Sequence, residues 1–378
     1  MPRVVGIDPG TVSVDICGLD DGRVFLDRSL PTSEALADPS VLVGFLDGAA
    51  PLDLVAGPSG YGLPLTAARD LTETHLRLAY LAGEGESGGI AGLRSLMRTL
   101  ARSVTPVMLT PGVVHLASVP AHRKVNRVDM GTADKVCAAA LAVHDQAERW
   151  GCGERDVSFI LLELGGAFTA AIAVQDGRVV DGAGGTSGAL GARAAGALDG
   201  EVAFLAGSVS KRLLFGGGAA TIAGAPDAPS ESLAAPSTLR GHLAWEAYME
   251  SAVKAVAALA VSVPGAREVI VSGRLARVAG VRDELAQRIA RVHVARGFGP
   301  AIGGIAEARV HVLAGFADVA GQAAQGAALI ADGLAGGQSA ALVETLGIRE
   351  ARGTVLDHLY VIDAAAARAR LGIDPCSG

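Results

Sequence analysis

A carboxylate followed two residues later by a glycine occurs at the end of two apolar runs. Asp8 precedes Gly10, and Glu163 precedes Gly165. Glycine lets backbone N–H groups approach an anion closely, and a carboxylate at a strand end can hold a metal ion or its water shell. The two loops therefore predict binding of a polyphosphate together with a metal ion or its water shell. Two ordinary β-hairpins are the alternative, because an Asp-Gly turn by itself is common.

The two loops belong to a longer repeat. Residues 4–24 read VVGIDPGTVSVDICGLDDGRV, and residues 161–180 read LLELGGAFTAAIAVQDGRVV. The loop carboxylates are 155 positions apart (163 − 8), and so are the Asp-Gly turns that begin at Asp21 and Asp176 (176 − 21). Each copy predicts a strand, a glycine turn, a second strand, an Asp-Gly hairpin and a third strand. Two such loops facing each other would hold one polyphosphate.

Residues 122–129 (HRKVNRVD) form a third cluster of charged side chains. The segment is predicted to be non-helical, and its cations make an anion-binding wall before a helix N-terminus. A carboxylate that accepts a phosphoryl group is already ionised at pH 7, so it needs cations rather than a base. This favours a carboxylate acceptor and an acyl-phosphate product, with Arg123 or Arg127 as the cation that holds the acceptor and ATP together. Asp129 leaves a hydroxyl acceptor open, because a hydroxyl needs a carboxylate base.

The paired loops resemble the phosphate loops of the acetate and sugar kinase, heat-shock protein and actin superfamily (ASKHA). The residues that match its first phosphate loop are Asp8, Gly10 and Thr11. Those that match its second are Glu163, Gly165, Gly166 and Thr169, with Glu163 where an aspartate is more usual. Ser272-Gly273-Arg274 lies where the superfamily has its adenosine contact, and here it keeps one glycine of the usual pair. Within the superfamily the sequence is most similar to the group called predicted butyrate kinases.

The resemblance implies two related lobes of the actin-like ATPase (ribonuclease H-like) type, with a nucleotide cleft between them. ATP and Mg²⁺ are the implied cofactors, and Asp8 and Glu163 are the implied metal-binding residues. Gly10 and Thr11 would contact the γ-phosphate, Gly165 and Gly166 the β-phosphate, and Gly273 and Arg274 would lie near the adenosine. The implied function is a small-molecule kinase with Asp8, Arg123, Arg127 and Asp129 as catalytic candidates. A non-kinase ATPase that drives a partner and a nucleotide sensor without turnover are the alternatives.

Length and residue pattern predict an α/β protein whose lobes each contain a mixed sheet flanked by helices. A chain of 378 residues is long enough for two domains. We place the lobes at residues 1–150 and 151–335, with a C-terminal segment of unknown role at 336–378. Thr132 is predicted to cap the helix that follows it.

Three glycine-containing segments are predicted to support the site. Residues 57–62 follow a strand, where α/β sheets bind ligands, although a plain turn is equally expected. Residues 181–200 either cover a ligand or form a flexible linker. Residues 320–334 predict a helix of small residues that packs backbone to backbone, with Gly321 and Gly326 marking the close contact.

Composition excludes several other classes of protein. A formal charge of −7 argues against a general nucleic-acid binder, which needs a basic face. The four cysteines have no C-x-x-C spacing, so neither a zinc site nor a disulfide framework is predicted. No apolar run reaches membrane-spanning length, and no secretory leader is recognised. We expect a cytoplasmic protein that binds a small-molecule substrate, and we leave a homodimer open.

Overall fold

The computed structural model describes residues 2–83, 92–292 and 309–374. The chain divides into two compact units. Unit 1 consists of Met1–Val128, Thr132–Arg155 and Gly315–Gly378, and unit 2 consists of Asp129–Gly131 and Asp156–Ala314. Within the described ranges, no helix has both the length and the apolar character needed to cross a bilayer.

Unit 1 contains a six-stranded mixed sheet. Its strands are β1 (Arg3–Pro9), β2 (Ser13–Asp20), β3 (Arg23–Pro31), β4 (Leu54–Pro58), β5 (Thr66–Ala67) and β6 (Val107–Thr110). They lie in the order β3-β2-β1-β4-β6-β5. The central strands β1, β4 and β6 are parallel, whereas β2, β3 and β5 pair antiparallel with their neighbours.

Unit 2 contains a five-stranded mixed sheet. Its strands are β7 (Phe159–Leu164), β8 (Thr169–Gln175), β9 (Arg178–Ala183), β10 (Glu268–Ser272) and β11 (Arg309–Val312). They lie in the order β9-β8-β7-β10-β11, with β7, β10 and β11 parallel and the β7-β8-β9 meander antiparallel. This is the order of unit 1 without the equivalent of β5.

The predicted repeat is confirmed in the strand pairing. Both hairpins turn through an Asp-Gly pair with positive φ, 50° and 73° at Asp21 and Gly22, and 51° and 70° at Asp176 and Gly177. Positive φ at both central residues defines the type I′ turn, whose twist matches that of the flanking strands. A β-bulge follows Gly18 in one copy and Ala173 in the other, again 155 positions apart (173 − 18).

Helices connect and cover the strands. In chain order they are α1 (Thr32–Ala37), α2 (Ser40–Gly48), α3 (Glu73–Tyr80), α4 (Leu93–Leu100), α5 (Ala121–Lys124), α6 (Ala133–Trp150), α7 (Gly200–Ala206), α8 (Lys211–Leu214), α9 (Ala219–Ala223), α10 (Leu239–Ala260), α11 (Val281–Val292), α12 (Gln322–Leu334), α13 (Ala340–Leu346) and α14 (Ala364–Arg370). In unit 2, α10 packs on β7 and β8 and buries Tyr248, Met249 and Val256 in the core.

The small-residue helix α12 packs on β1, β2 and β4 and on α6, all within unit 1. A Cβ at Gly326 would lie 1.8 Å from the Cys137 carbonyl oxygen of α6, and one at Gly6 of β1 would lie 2.1 Å from the Ala328 nitrogen. The predicted backbone-to-backbone contact is therefore present. It also draws the chain after residue 314 into unit 1, whereas the sequence grouped residues 151–335 as one lobe.

Candidate active site

The first loop, residues 9–13, joins β1 to β2 as a tight turn. The Gly10 N–H donates to the Ser13 carbonyl at 2.9 Å. Thr32, the first residue of α1, donates its hydroxyl to the Gly10 carbonyl at 2.8 Å. In the described part of the chain, the N–H groups of Thr11 and Val12 have no hydrogen-bond partner, and both residues are exposed. Adjacent unpaired N–H groups at a turn are suited to an anion.

The second loop, residues 164–168, has the same geometry in unit 2. The Gly165 N–H donates to the Phe168 carbonyl at 3.0 Å, which repeats the Gly10 contact at the same offset. Among the described residues, the N–H groups of Gly166 and Ala167 likewise find no partner. Each loop thus presents two successive N–H groups just beyond a carboxylate-bearing strand end.

Carboxylates cluster beside the first loop. Asp8 lies directly opposite Asp15 in the β1–β2 register, and both are half-buried. Directly opposed residues of antiparallel strands share a face, so the two negative charges are neighbours. Burial raises the pKa of the Cys137 thiol, and the charges of Asp8 and Asp134 raise it further, which brings Asp134 of α6 into the same region.

This donor set fits Mg²⁺ bound together with a nucleotide. Magnesium usually takes one or two carboxylates, with phosphate and water completing its shell. Within the described ranges no group of three or more His, Cys, Asp or Glu residues is arranged to hold a metal by itself. Asp8 with Asp15 therefore suits a metal that arrives with its phosphates.

Asp134 lies in the first turn of α6, two residues after the predicted cap residue Thr132. Its carboxylate contacts Lys135 Nζ at 2.6 Å and accepts a hydrogen bond from the Thr132 hydroxyl. Burial acts to raise the pKa of Asp134, but Lys135 and Thr132 outweigh it and hold the pKa below its ordinary value. Thr132 lies at the N-cap position without capping the helix through its side chain, because its hydroxyl is directed to Asp134.

Glu163 has different neighbours from Asp8. It is half-buried at the end of β7, opposite Ala170 of β8 and Ser272 of β10. The Ser272 hydroxyl is buried and has no partner among the described residues. The position equivalent to Asp15 is thus an alanine, and unit 2 has no opposed carboxylate pair at this point.

Three further residues were predicted to lie at the nucleotide site. One contacts the second loop, one is exposed, and one is buried inside unit 2. Gly273 has φ +87°, and a Cβ there would lie 2.4 Å from the Leu164 carbonyl oxygen, so Gly273 touches the second loop. Arg274 is exposed, and its guanidinium lies 3.8 Å from the Glu231 carboxylate. Thr169 is fully buried and donates its hydroxyl to Tyr248 Oη at 3.2 Å, which engages this side chain inside the unit.

The glycine-rich segment after β9 is ordered against the second loop. The N–H groups of Arg193 and Ala194 donate to the Ala167 carbonyl at 2.9 and 3.1 Å. A Cβ at Gly191 would lie 2.3 Å from the same carbonyl oxygen, and one at Gly185 would lie 2.4 Å from the Phe168 ring. The segment therefore packs against this loop and is not a flexible linker.

The predicted cationic wall is not one surface. Its first part is a helical turn, α5, rather than non-helical chain, because the chain turns at Pro120 and the Arg123 N–H donates to the Pro120 carbonyl. Arg123 is half-exposed and Arg127 exposed, both in unit 1. Lys124 turns inward and is buried.

Asp129 belongs to unit 2 and is only 6% exposed. Its carboxylate accepts hydrogen bonds from the Thr186 N–H and hydroxyl, both at 2.8 Å, and from the Gly131 N–H at 3.3 Å. A Cβ at Gly184 would overlap the same carboxylate. Asp129 thus stabilises the turn at residues 184–187. This contact could not be predicted from residues 122–129, because its partner lies far away in the chain.

Solved structures of carboxylate kinases share this fold. A propionate kinase from Francisella tularensis subsp. tularensis SCHU S4 matches with a TM-score of 0.59 and 14% identity over 86% of this chain and 99% of that one. An acetate kinase from Entamoeba histolytica matches with a TM-score of 0.56 and 10% identity over 77% and 87% of the two chains. The acetate kinase of Porphyromonas gingivalis gives 0.50 and 15% over 71% and 82%.

These likenesses and the two mixed sheets flanked by helices confirm the predicted fold class. No curated protein matches the sequence. Residues 6–361 match the family described as "Protein of unknown function (DUF1464)".

Proposed function

The chain belongs to the DUF1464 family, and we propose that it is an ATP- and Mg²⁺-dependent phosphotransferase whose acceptor is a small carboxylic acid. The observation that carries the proposal is the repeated loop, with two unpaired N–H groups beyond a strand-end carboxylate in each unit. Such loops bind phosphate oxygens. The fold likeness to kinases of acetate and propionate supports the same class of reaction.

In this proposal each loop binds phosphate through its unpaired N–H groups. The N–H groups of Thr11 and Val12 bind phosphate oxygens from unit 1, and those of Gly166 and Ala167 do so from unit 2. Asp8 holds Mg²⁺ or its water shell, with Asp15 adding negative charge to the site. When bound, Mg²⁺ neutralises charge that develops on the phosphates.

The surroundings of Asp129 favour a carboxylate acceptor over a hydroxyl acceptor. Asp129 was the candidate base for a hydroxyl acceptor, and its carboxylate already accepts three hydrogen bonds at 6% exposure. An ionised acid needs no base, because its oxygen attacks the γ-phosphorus directly while the bond to the bridging oxygen of ADP breaks. Arg123 and Arg127 would stabilise the charge of the transferred group. A short-chain acid such as butyrate agrees with the sequence resemblance.

The test is to incubate the pure protein with ATP, Mg²⁺ and hydroxylamine, together with either a panel of short carboxylic acids or a panel of sugars and polyols. We expect hydroxamate formation from at least one acid, because hydroxylamine traps acyl phosphates. Sugar phosphorylation without any hydroxamate would instead establish a hydroxyl acceptor. ATP hydrolysis that no acceptor accelerates would establish an ATPase.

Two variants separate the acceptor classes within one experiment. Arg127→Ala should lower turnover of a carboxylate kinase, whereas Asp129→Asn should abolish turnover of a hydroxyl kinase. Arg69→Ala is the matched control, because Arg69 is an exposed arginine of the same unit with only a loose 3.9 Å contact to Asp70. Loss of turnover in Asp129→Asn with full folding and full activity of Arg127→Ala would reject the carboxylate assignment.

A further inference from the structure

Unit 1 contains a cavity of about 470 Å³ that none of the residues discussed above lines. All of its lining residues belong to unit 1, and they come from β2, β3, α6, α12, α13 and the chain next to these elements. Sites for small molecules typically measure roughly 300–1,000 Å³. The cavity therefore has room for a small organic ligand.

The cavity lies at one end of β2, and the first loop lies at the other. Leu19 and Gly22 line the cavity, whereas β2 begins at Ser13, the last residue of the first loop. A strand rises about 3.4 Å per residue, so Leu19 lies about 20 Å along β2 from Ser13. A ligand in the cavity would therefore occupy a site separate from the first loop.

Part of the lining is apolar and buried. Leu19, Leu329 and Leu342 line the cavity, and each is at most 5% exposed. Val24 and Phe316 also line it, and they keep 40% and 36% of their surface exposed. Covering exposed apolar surface stabilises a complex by about 25 cal/mol per Å². This part of the lining is suited to an apolar group.

The polar part of the lining carries negative charge. Glu148 and Glu154 line the cavity, the first exposed and the second half-buried. Within the described ranges neither carboxylate forms an ion pair or a hydrogen bond, and the lining includes no lysine or arginine. Arg149, which follows Glu148, pairs with Asp145 at 2.8 Å. The cavity thus presents two carboxylates that no protein cation neutralises.

Two further features make the potential in the cavity more negative. The last turns of α6 line it through His144, Ala147 and Glu148, and the C-terminal end of a helix carries a partial negative charge. Asp332 lies behind the lining residue Ser339, whose N–H donates to Asp332 Oδ2 at 2.7 Å. Asp332 is 1% exposed, and its Oδ1 has no hydrogen-bond partner among the described residues. Both features favour a cation in the cavity.

A bare metal ion does not match this lining. His144 and Cys152 line the cavity together with the two glutamates, but in the described part of the chain no three such residues are grouped to hold a metal. A metal ion would also leave the leucine side chains uncovered. The lining matches a cation that has an apolar body.

We propose that this cavity binds an organic ammonium ion. The ammonium group donates to the carboxylates of Glu148 and Glu154, and the apolar body packs against Leu19, Leu329 and Leu342. The proposal is independent of phosphoryl transfer, because the cavity shares no residue with the first loop or with the residues proposed to act on the acceptor.

Hexylamine is the probe for this site, because its ammonium group is protonated at pH 7 and its chain is apolar. In calorimetric titrations of the full-length protein without nucleotide, hexylamine should bind at least about tenfold more tightly than 1-hexanol. The two molecules have the same chain length and differ in charge. Equal affinities, or no binding of hexylamine, would overturn the proposal.

The double variant Glu148→Gln/Glu154→Gln removes both charges and keeps the size of the side chains. It should bind hexylamine about tenfold more weakly than the wild type does. The matched control is Glu34→Gln, which changes an exposed glutamate of α1 that does not line the cavity. An unchanged affinity in the double variant, or an equal loss in Glu34→Gln, contradicts the proposal.

Cys152 reports where the probe binds, because it lines the cavity and is half-buried. Saturating hexylamine should slow the alkylation of Cys152 by iodoacetamide, measured by mass spectrometry of the peptide that contains this residue. Glutathione in the same reaction is the control, since its alkylation should keep its rate. Binding of hexylamine that leaves the alkylation rate of Cys152 unchanged would place the amine elsewhere and reject the cavity as its site.

Discussion

Asp8 and Asp15 bring two carboxylates together on one face of the β1–β2 pair. Like charges directly opposite one another destabilise a sheet, and a bound cation removes that cost. The equivalent pair in unit 2 is Glu163 and Ala170, which has no such repulsion. At the scale of single residues, we therefore assign the proposed metal role to Asp8 more strongly than to Glu163.

The first prediction is that Asp8→Asn removes Mg²⁺-dependent turnover while the protein stays folded. We expect kcat to fall by about a hundredfold or more, because the charge that positions the metal is lost. The variant should still unfold cooperatively on heating, because asparagine keeps the size and shape of the side chain. ADP release and thermal unfolding measure the two effects. Asp47→Asn, at an exposed aspartate of α2, is the control, and full turnover in Asp8→Asn would reject the metal role.

The second prediction concerns pH and His115. The folded-state pKa is about 4 and the reference value is 6.5, so between these values the unfolded chain binds the proton more readily. The contribution to stability is complete above pH 6.5 and is lost as the pH falls toward 4, by about 3 kcal/mol. Urea unfolding of His115→Leu should therefore depend less on pH than that of the wild type. His122→Leu, at an exposed histidine, should follow the wild type, and equal slopes for all three proteins would contradict the prediction.

At the scale of helices and strands, glycines decide which backbones can pack closely against one another. Gly6 lets β1 approach α12, and Gly326 lets α12 approach α6, in both cases at distances that exclude a Cβ. A glycine makes a helix less stable than an alanine would, but the close backbone packing that glycine allows more than offsets this cost. The strand β1, which carries Asp8, and the helix α6 therefore both pack against the small-residue helix α12.

The third prediction is that Gly326→Ala destabilises the protein although alanine is the better helix former. Its Cβ would lie 1.8 Å from the Cys137 carbonyl oxygen, so α12 and α6 must separate. We expect a loss of about 1–3 kcal/mol in the free energy of unfolding, measured by urea denaturation. Gly44→Ala in α2 is the control, because nothing lies within 4 Å of its Cβ. That change should stabilise by up to about 1 kcal/mol, and a similar gain in Gly326→Ala would refute the packing argument.

At the scale of the whole molecule, the same five-strand order occurs in both units, although unit 1 is assembled from three separate stretches of chain. The repeat includes the loop, the bulge and the type I′ turn at one common offset. A function that used one loop alone would not require the second to keep its unpaired N–H groups. We therefore expect each loop to bind phosphate.

The fourth prediction follows from ligand linkage. Mg²⁺-ATP at a hundred times its Kd should stabilise the protein by about 2.7 kcal/mol, seen as a rise in melting temperature. Gly10→Val and Gly165→Val should each reduce that rise, because their side chains would crowd the Ser13 and Phe168 carbonyl oxygens of their own loops. Gly44→Ala should keep the full rise. A full rise in either loop variant would show that the loop in question does not bind the nucleotide.

The sequence by itself determined the features that depend on neighbouring residues. The glycine turns, the Asp-Gly hairpins and their common offset follow from local backbone geometry, which the residue type at each position dictates. The small-residue helix α12 was predictable for a similar reason, because a run of alanines and glycines leaves only backbone to pack. These local features also carried the family resemblance, and with it the fold class of two related mixed sheets.

Only the tertiary structure decided which partner each polar side chain takes. Thr169 matched a phosphate loop in sequence but donates to Tyr248, and Asp129 lies in a cationic segment but binds Thr186. Lys124 is buried with His115, whereas Arg127 remains exposed. The burial and hydrogen bonding of these groups depend on residues that are distant in the chain and that folding brings next to them. A local sequence pattern therefore could not distinguish a ligand-binding side chain from one that holds the fold together.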